Sequence, residues 1–261
     1  MKVDNLNIKI FETRQKMGEN AAEMVADKIR ELLEIKEYVN IIFASAPSQN
    51  EFLAALSLEK GIAWERVNAF HMDEYVGLPN DAPQNFGNFL KVKLFDKISL
   101  KSAFYINGNA TDIELECKRY AQLLTEFPAD IICMGIGENT HIAFNDPFVA
   151  DFNDPLLVKK VALDFASRQQ QVNDKCFDTL NEVPEDAITL TVPALLKAKF
   201  AYCIVPGHKK AEAIYHTVNE EISEEFPSTI LRNHPNVILF IDKDSSGKLE
   251  EISSYSKAAD L

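Results

Sequence analysis

The sequence lacks the features that define several large functional classes. No apolar run approaches the ~20 residues that span a bilayer, and the opening "MKVDNLNIKIFETRQ" has no apolar core of the kind that marks a secretory leader. The expectation is a cytoplasmic protein with no membrane partner. Basic residues are outnumbered, 27 Lys and Arg against 40 Asp and Glu, for a formal net charge of −13. A nucleic-acid binder needs a basic face to neutralise phosphates, so no nucleic-acid partner is expected. Cys117, Cys133, Cys176 and Cys203 form no C-x-x-C pair, and the five histidines show no H-x-x-x-H spacing. They read as reduced, mostly buried thiols without a disulfide framework or a metal site. No repeat, low-complexity tract or Gly/Ser linker interrupts the chain, and 1–261 reads as a single domain.

What the chain does have is a series of short, continuous apolar runs: 39–45, 67–72, 129–137, 201–207 and 236–242. Runs without alternation suit strands buried on both faces. Between them lie helical patterns over 17–33 and 86–98. Another starts at "TDIE", 111–114, which has the capping-box form, and a fourth follows Pro206. The alternation predicts an α/β fold: three layers, a mainly parallel sheet with helices on both faces, Rossmann-like. In such folds ligands sit beyond the carboxyl ends of the strands. Polar clusters follow four of the runs, at Ser45–Asn50, Asp73–Glu74, Glu138–Asp146 and His208–Lys210. One crevice could collect all four.

Each cluster has an ordinary structural reading beside the chemical one. In "FHMDEYVGLP", 70–79, Asp73 and Glu74 close a buried strand. A buried carboxylate beside a second one is a usable base, yet a turn or helix-capping carboxylate is the commoner reading of such residues. In "GIGENTHIAFNDP", 135–147, two glycines allow close backbone approach, and His141 is suited to proton transfer near neutral pH. Asn139 or Asp146 could orient its ring. "SAPSQNEF", 45–52, offers the hydroxyls of Ser45 and Ser48 to an anion. It lacks the glycines of a Walker-type loop, and a capping box of Ser48 with Glu51 reads more naturally. Arg168 and Lys210 are candidate anion-holding cations, though most such residues are solvated surface.

Taken together, the segments resemble the glucosamine-6-phosphate deaminase family, which shares its fold with the 6-phosphogluconolactonases. "FHMDEYVGLP" is similar to that family's F-N-M-D-E-Y-V-G-L. "GIGENTHIAFNDP" is similar to its G-I-G-x-[DN]-G-H-I-A-F-N-E-P. "VPEDAITLTVPALLKAK" and "PGHKKAEAI" match two further segments, in order. The resemblance implies conversion of an amino sugar 6-phosphate, glucosamine 6-phosphate first among them, to fructose 6-phosphate and ammonia, without metal or organic cofactor. It implies Asp73 as the proton shuttle between carbons 2 and 1, and His141 as the ring-opening acid–base group. Asn139 and Asp146 match the residues that orient the histidine. Ser45, Ser48, Glu74, Arg168 and Lys210 are the implied substrate-binding residues. The family includes monomers and hexamers, so a homo-oligomer is among the implied states. The rivals are a lactonase, whose usual G-H-T-A-S-L-F-P continuation fits less well, and a sugar-phosphate-binding protein without turnover.

The departures carry expectations of their own. "ASAPSQ", 44–49, stands where the family reads A-T-G-S-T-P, so Ala46 replaces a glycine and Pro47 removes an N–H donor. Thr140 replaces a glycine, and its β-branch argues against a positive φ there. Asp146 is one methylene shorter than the family's glutamate, which predicts a water or a backbone shift between it and His141. Asn139 replaces an aspartate, and His71 an asparagine.

Overall fold

The computed structural model describes residues 1–249; the expectation of one domain over 1–261 extends to residues outside the described ones. The strands are β1 (Lys2–Val3), β2 (Leu6–Phe11), β3 (Val39–Phe43), β4 (Val67–His71), β5 (Asp73–Tyr75), β6 (Ser102–Phe104), β7 (Ile131–Met134), β8 (Val158–Ala162), β9 (Asp186–Leu190), β10 (Phe200–Val205) and β11 (Val237–Asp242). The helices are α1 (Arg14–Ile35), α2 (Asn50–Leu56), α3 (Phe86–Lys93), α4 (Ile113–Glu126), α5 (Phe165–Asn173), α6 (Val192–Leu196) and α7 (Ala211–Asn219).

Eight strands form one sheet in the order β1-β2-β11-β10-β7-β3-β4-β6, parallel except for β1. The mainly parallel sheet expected from the apolar runs is present, and the chemistry of those runs explains it. Every residue of "VNIIF" in β3 is buried, and alternate residues enter different cores. Ile42, Ile132, Cys203 and Leu239 face one core, with Tyr120 of α4 and Ile214 of α7. Ile41, Cys133, Ile204 and Phe240 face the other, with Val25 of α1, Phe52 of α2 and Leu90 of α3. A strand sandwiched between two helical layers has no solvent face, so its sequence does not alternate. The helical layers are set by local sequence as well. Thr13 caps α1 by accepting from the Lys16 amide, and Gly18 lets α2 approach so closely that a Cβ there would lie 2.7 Å from Glu51 Cβ.

Three elements differ from the sequence expectations. The stretch 86–98 breaks at Leu94 into α3 and a short 3₁₀ turn, Phe95–Lys97. The start at 111–114 is shifted by one residue, with the Asp112 carboxylate accepting from the Leu115 amide. A second sheet, β5-β9-β8, is antiparallel and was not foreseen. Its strands are short, and β8, "VKKVA", carries two lysines that suppress the apolar signal. Among the described residues no helix is long and apolar enough to cross a membrane.

Candidate active site

The chain's path through the sheet creates the site. After β3 it moves outward through β4 and β6, then returns across β3 to lay down β7, β10 and β11 on the other side. The carboxyl ends of β3 and β7 therefore diverge, and a crevice opens between their loops. It is walled by Ser45, Ser48 and Gln49 after β3, Asp73 after β4, Gly137 and His141 after β7, Lys210 after β10, and Gln170 and Gln171 of α5. All four polar clusters that follow apolar runs contribute to this one space.

Asp73 begins β5, just after the chain leaves the main sheet at His71, and pairs with Thr189 of β9. That step is held by His71, which is fully buried. Its Nδ1 lies 2.8 Å from the Asp73 carbonyl oxygen, and its Nε2 accepts from the Ile106 amide at 2.9 Å. With Nε2 an acceptor, Nδ1 carries the proton and the ring is neutral. Burial pushes its pKa down to about 4. The Asp73 carboxylate makes no hydrogen bond to the protein among the described residues, and burial, then the nearby Glu74, raise its pKa well above the usual carboxylate value.

Glu74 turns the other way, as residues alternate along a strand. Its carboxylate accepts from the amides of Tyr75 (3.0 Å), Phe86 (3.0 Å) and Gly87 (2.9 Å), closing the N-terminus of α3. Burial raises its pKa to about 7 against the pull of those three donors. The substrate contact expected of Glu74 is therefore corrected: its oxygens are committed to the backbone, and the helix-capping reading of this carboxylate holds.

His141 lies flat on Gly137, where a Cβ would fall 2.2 Å from ring carbon Cε1. No side chain could replace that glycine without moving the ring. Nδ1 of His141 is 3.0 Å from Asp146 Oδ1 and 2.9 Å from Ser167 Oγ. The Ser167 hydroxyl donates to the same Asp146 oxygen in a short bond. Ser167 Oγ must then accept from His141, so the imidazole proton sits on Nδ1 and the free Nε2 is a base. Asn139 completes the set, donating to Asp146 Oδ1 at 3.1 Å and accepting from the His141 amide at 3.2 Å. Burial pushes the Asp146 pKa up, but the hydrogen bonds from His141, Ser167 and Asn139 outweigh it and hold the carboxylate below its ordinary value. The expected water or backbone shift for the shorter Asp146 is corrected: its carboxylate reaches the ring directly, braced by Ser167.

Thr140 also departs from expectation, with φ +71°. The loop enforces this against the side chain. Gly137 N–H donates to the His141 carbonyl, Thr140 N–H to the Gly137 carbonyl, and Ser228 N–H to the Thr140 carbonyl. The capping box at Ser48 is absent as well. Pro47 starts a 3₁₀ turn, α2 begins only at Asn50, and Glu51 pairs with Arg14 through two contacts of 2.8 Å. Ser48 Oγ accepts from Gln49 instead, at 3.2 Å. Ser45 Oγ and Gln49 Oε1 are buried without a partner among the described residues.

Of the two candidate cations, one reaches the crevice. Lys210 is buried there, and burial lowers its pKa against the opposing effect of Asp174 and Glu138. Arg168 does not line the crevice: Nη2 donates to the carbonyls of Leu180 and Val183, both at 2.9 Å, and Nη1 faces Glu185. Its Nε is buried without a partner among the described residues, so the guanidinium keeps one unused donor. The sequence reading missed Ser167, Gln49, Gln170 and Gln171. A signal existed for three of them, since the buried residues of α5 are Ser167, Gln170 and Gln171, a polar stripe at helical spacing where a core helix would be apolar.

A family model described as glucosamine-6-phosphate isomerases/6-phosphogluconolactonase matches residues 12–145. A glucosamine-6-phosphate deaminase of Bacillus cereus (strain B4264) is 33% identical over 240 residues, covering 92% of this chain and 88% of the relative. One of Bacillus thuringiensis (strain Al Hakam) is 32% identical over the same shares. A solved monomeric glucosamine-6-phosphate deaminase superposes with a TM-score of 0.84 at 28% identity, covering 92% of this chain and 99% of that one. A 6-phosphogluconolactonase from Thermotoga maritima superposes at 0.73 with 20% identity, covering 91% and 100%, a likeness of fold alone. The chain belongs to the glucosamine-6-phosphate isomerase/6-phosphogluconolactonase family.

Proposed function

We propose that the protein converts glucosamine 6-phosphate to fructose 6-phosphate and ammonia, with Asp73 and His141 as the catalytic residues. The observation that carries this reading is an unbonded, high-pKa carboxylate and a histidine of fixed tautomer on the walls of one crevice. Aldose–ketose chemistry needs those two tools: a group that exchanges a proton between two sugar oxygens, and a carboxylate that serves two adjacent carbons. His141 Nε2 takes the proton of the carbon-1 hydroxyl as the bond from carbon 1 to the ring oxygen opens, and returns it to that oxygen. Asp146 and Ser167 stabilise the imidazolium between these steps. Asp73, ionised, takes the proton from carbon 2, and the enolamine receives it at carbon 1. Water then adds to the resulting ketimine at carbon 2, and ammonia leaves as the ketone forms. Lys210 holds the phosphate, with Ser45 and Ser48 as neutral donors.

The test is ammonia release from glucosamine 6-phosphate deuterated at carbon 2. Label appearing at carbon 1 of fructose 6-phosphate is expected, since one carboxylate serves both carbons. Hydrolysis of 6-phosphogluconolactone with no ammonia from the amino sugar would move the assignment to the lactonase side of the family.

A further inference from the structure

Helix α5, with its N-cap, meets the loop that carries His141 through residues spaced three apart. The Asp164 carboxylate faces Asn139, the Ser167 hydroxyl bonds His141 and Asp146, and Gln170 Oε1 accepts from the Glu138 amide. We propose that Asp164 is a positioning residue for His141, and that its carboxylate is what requires an amide in place of a carboxylate at position 139. The inference rests on the reading above of His141 as the acid–base group.

Asp164 is the N-cap of α5. Its Oδ1 accepts from the Ser167 amide at 2.6 Å, which fixes the point from which the Ser167 hydroxyl reaches the ring. Its Oδ2 lies 3.5 Å from Asn139 Nδ2. The same Nδ2 donates to Asp146 Oδ1 at 3.1 Å, so one carboxamide stands between two carboxylates with a hydrogen for each. At its other end Asn139 accepts from the His141 amide at 3.2 Å. Turned over, it would set its oxygen against both carboxylates and its NH₂ against an N–H donor, so the orientation is fixed. One carboxylate thereby places both residues that hold Asp146 to the imidazole, Ser167 through its backbone and Asn139 through its side chain. Neither Asp164 nor Asn139 lines the crevice, so their effect reaches a substrate through the ring.

An aspartate at 139, as in the family pattern, would bring three carboxylates together. Among the described residues no lysine or arginine pairs with Asp146 or Asp164, and the partner of Asp146 in charge is His141 alone. The repulsion is relieved by turning a side chain away from the ring, which releases the imidazole. An amide at 164 would remove the repulsion from that side and give the aspartate a donor. With Asn139 in place, however, an amide at 164 has a single oxygen and cannot accept from both Ser167 and Asn139.

The experiment is a double-mutant cycle of Asn139→Asp and Asp164→Asn, read as kcat and KM for ammonia release from glucosamine 6-phosphate. Asn139→Asp alone is expected to lower kcat at least ~10-fold with KM little changed. Asp164→Asn is expected to lower kcat about threefold in the wild-type background and to raise it about threefold or more in the Asn139→Asp background. Loss of a helix cap alone would lower kcat in both, so the reversal of sign identifies the pairing. A change of the same sign in both backgrounds, or none in either, overturns the proposal. Should Asn139→Asp not fold, a folded double variant upholds the pairing and an unfolded one overturns it. If the wild type releases no ammonia, the deaminase reading has failed, and the same cycle is read by nitrogen-15 NMR of the His141 ring. The Nδ1-bound proton is then expected in the wild type, lost in Asn139→Asp and regained in the double variant. A ring state that is the same in all four proteins overturns the positioning role.

Discussion

The acid–base half of the crevice and its anion half are built on opposite principles. Around His141 the groups that touch the ring are bonded to one another: Asp146 through Oδ1, Ser167 and Asn139 form one network with the imidazole, and Gly137 supports it from below. Around Lys210 the groups are unspent among the described residues, with Ser45 Oγ and Gln49 Oε1 buried and unpartnered and the ammonium in no ion pair. A closed network fixes a proton's position and a tautomer, as chemistry requires. Open polar groups, the Ser45 hydroxyl a donor and Gln49 Oε1 an acceptor, wait for a ligand to complete them, as selection requires. Asp73 belongs to the second type although it sits in the first half. Its carboxylate has no bonding partner among the described residues, and so its charge is held at a cost in stability.

The largest test of that contrast is Asp73→Asn. Turnover is expected to fall by about 10²–10⁴-fold, the usual contribution of a positioned base. The variant should also be more stable. The folded pKa of Asp73 lies above its unfolded value, so the native state binds the extra proton and stability declines as pH rises past the ordinary carboxylate range. Thermal unfolding at pH 7 is expected to move up by about 2 °C or more, with the difference vanishing below about pH 4. Equal melting temperatures at pH 7 would show that the carboxylate is not strained. Within the closed half, Gly137→Ala should cost at least ~10-fold in kcat with KM little changed, because the added Cβ displaces the His141 ring and not the ligand-holding groups. An unaltered kcat would show that the ring has room to move.

His71 gives a smaller, pH-dependent effect. Its folded pKa of about 4 lies below the ordinary 6.5, so its contribution is complete above pH 6.5 and is lost as the pH falls toward 4. The loss amounts to about 3 kcal/mol, and His71→Asn should flatten that part of the stability profile in urea titrations. A wild-type profile already flat between pH 6.5 and 4.5 would disprove it. The smallest change is Thr140→Gly. It relieves a positive φ in a β-branched residue and should stabilise by about 1 kcal/mol, leaving the His141 tautomer and kcat unchanged. A loss of stability would mean that the threonine side chain contributes packing greater than its backbone strain.

Much of the fold was legible because double burial writes itself into a strand as an unbroken apolar run. That is why β3, β4, β7, β10 and β11 could be read, while β8, where Lys159 and Lys160 interrupt the apolar pattern, could not. The crevice was legible for a related reason: in a parallel sheet every loop after a strand opens on the same edge, so residues far apart in sequence had to meet there. Residue types at those ends named the candidates Asp73, His141, Asn139, Asp146, Ser45, Ser48 and Lys210. What sequence could not decide was direction. Glu74 and Asp73 are neighbours of the same chemistry, yet strand alternation and the free amides of α3 send one carboxylate to the helix and leave the other open. Arg168 and Lys210 are both cations near strand ends, but two carbonyls at Leu180 and Val183 claim the arginine. Side-chain orientation depends on which partners the other elements bring near, and only the packed tertiary structure supplies those partners.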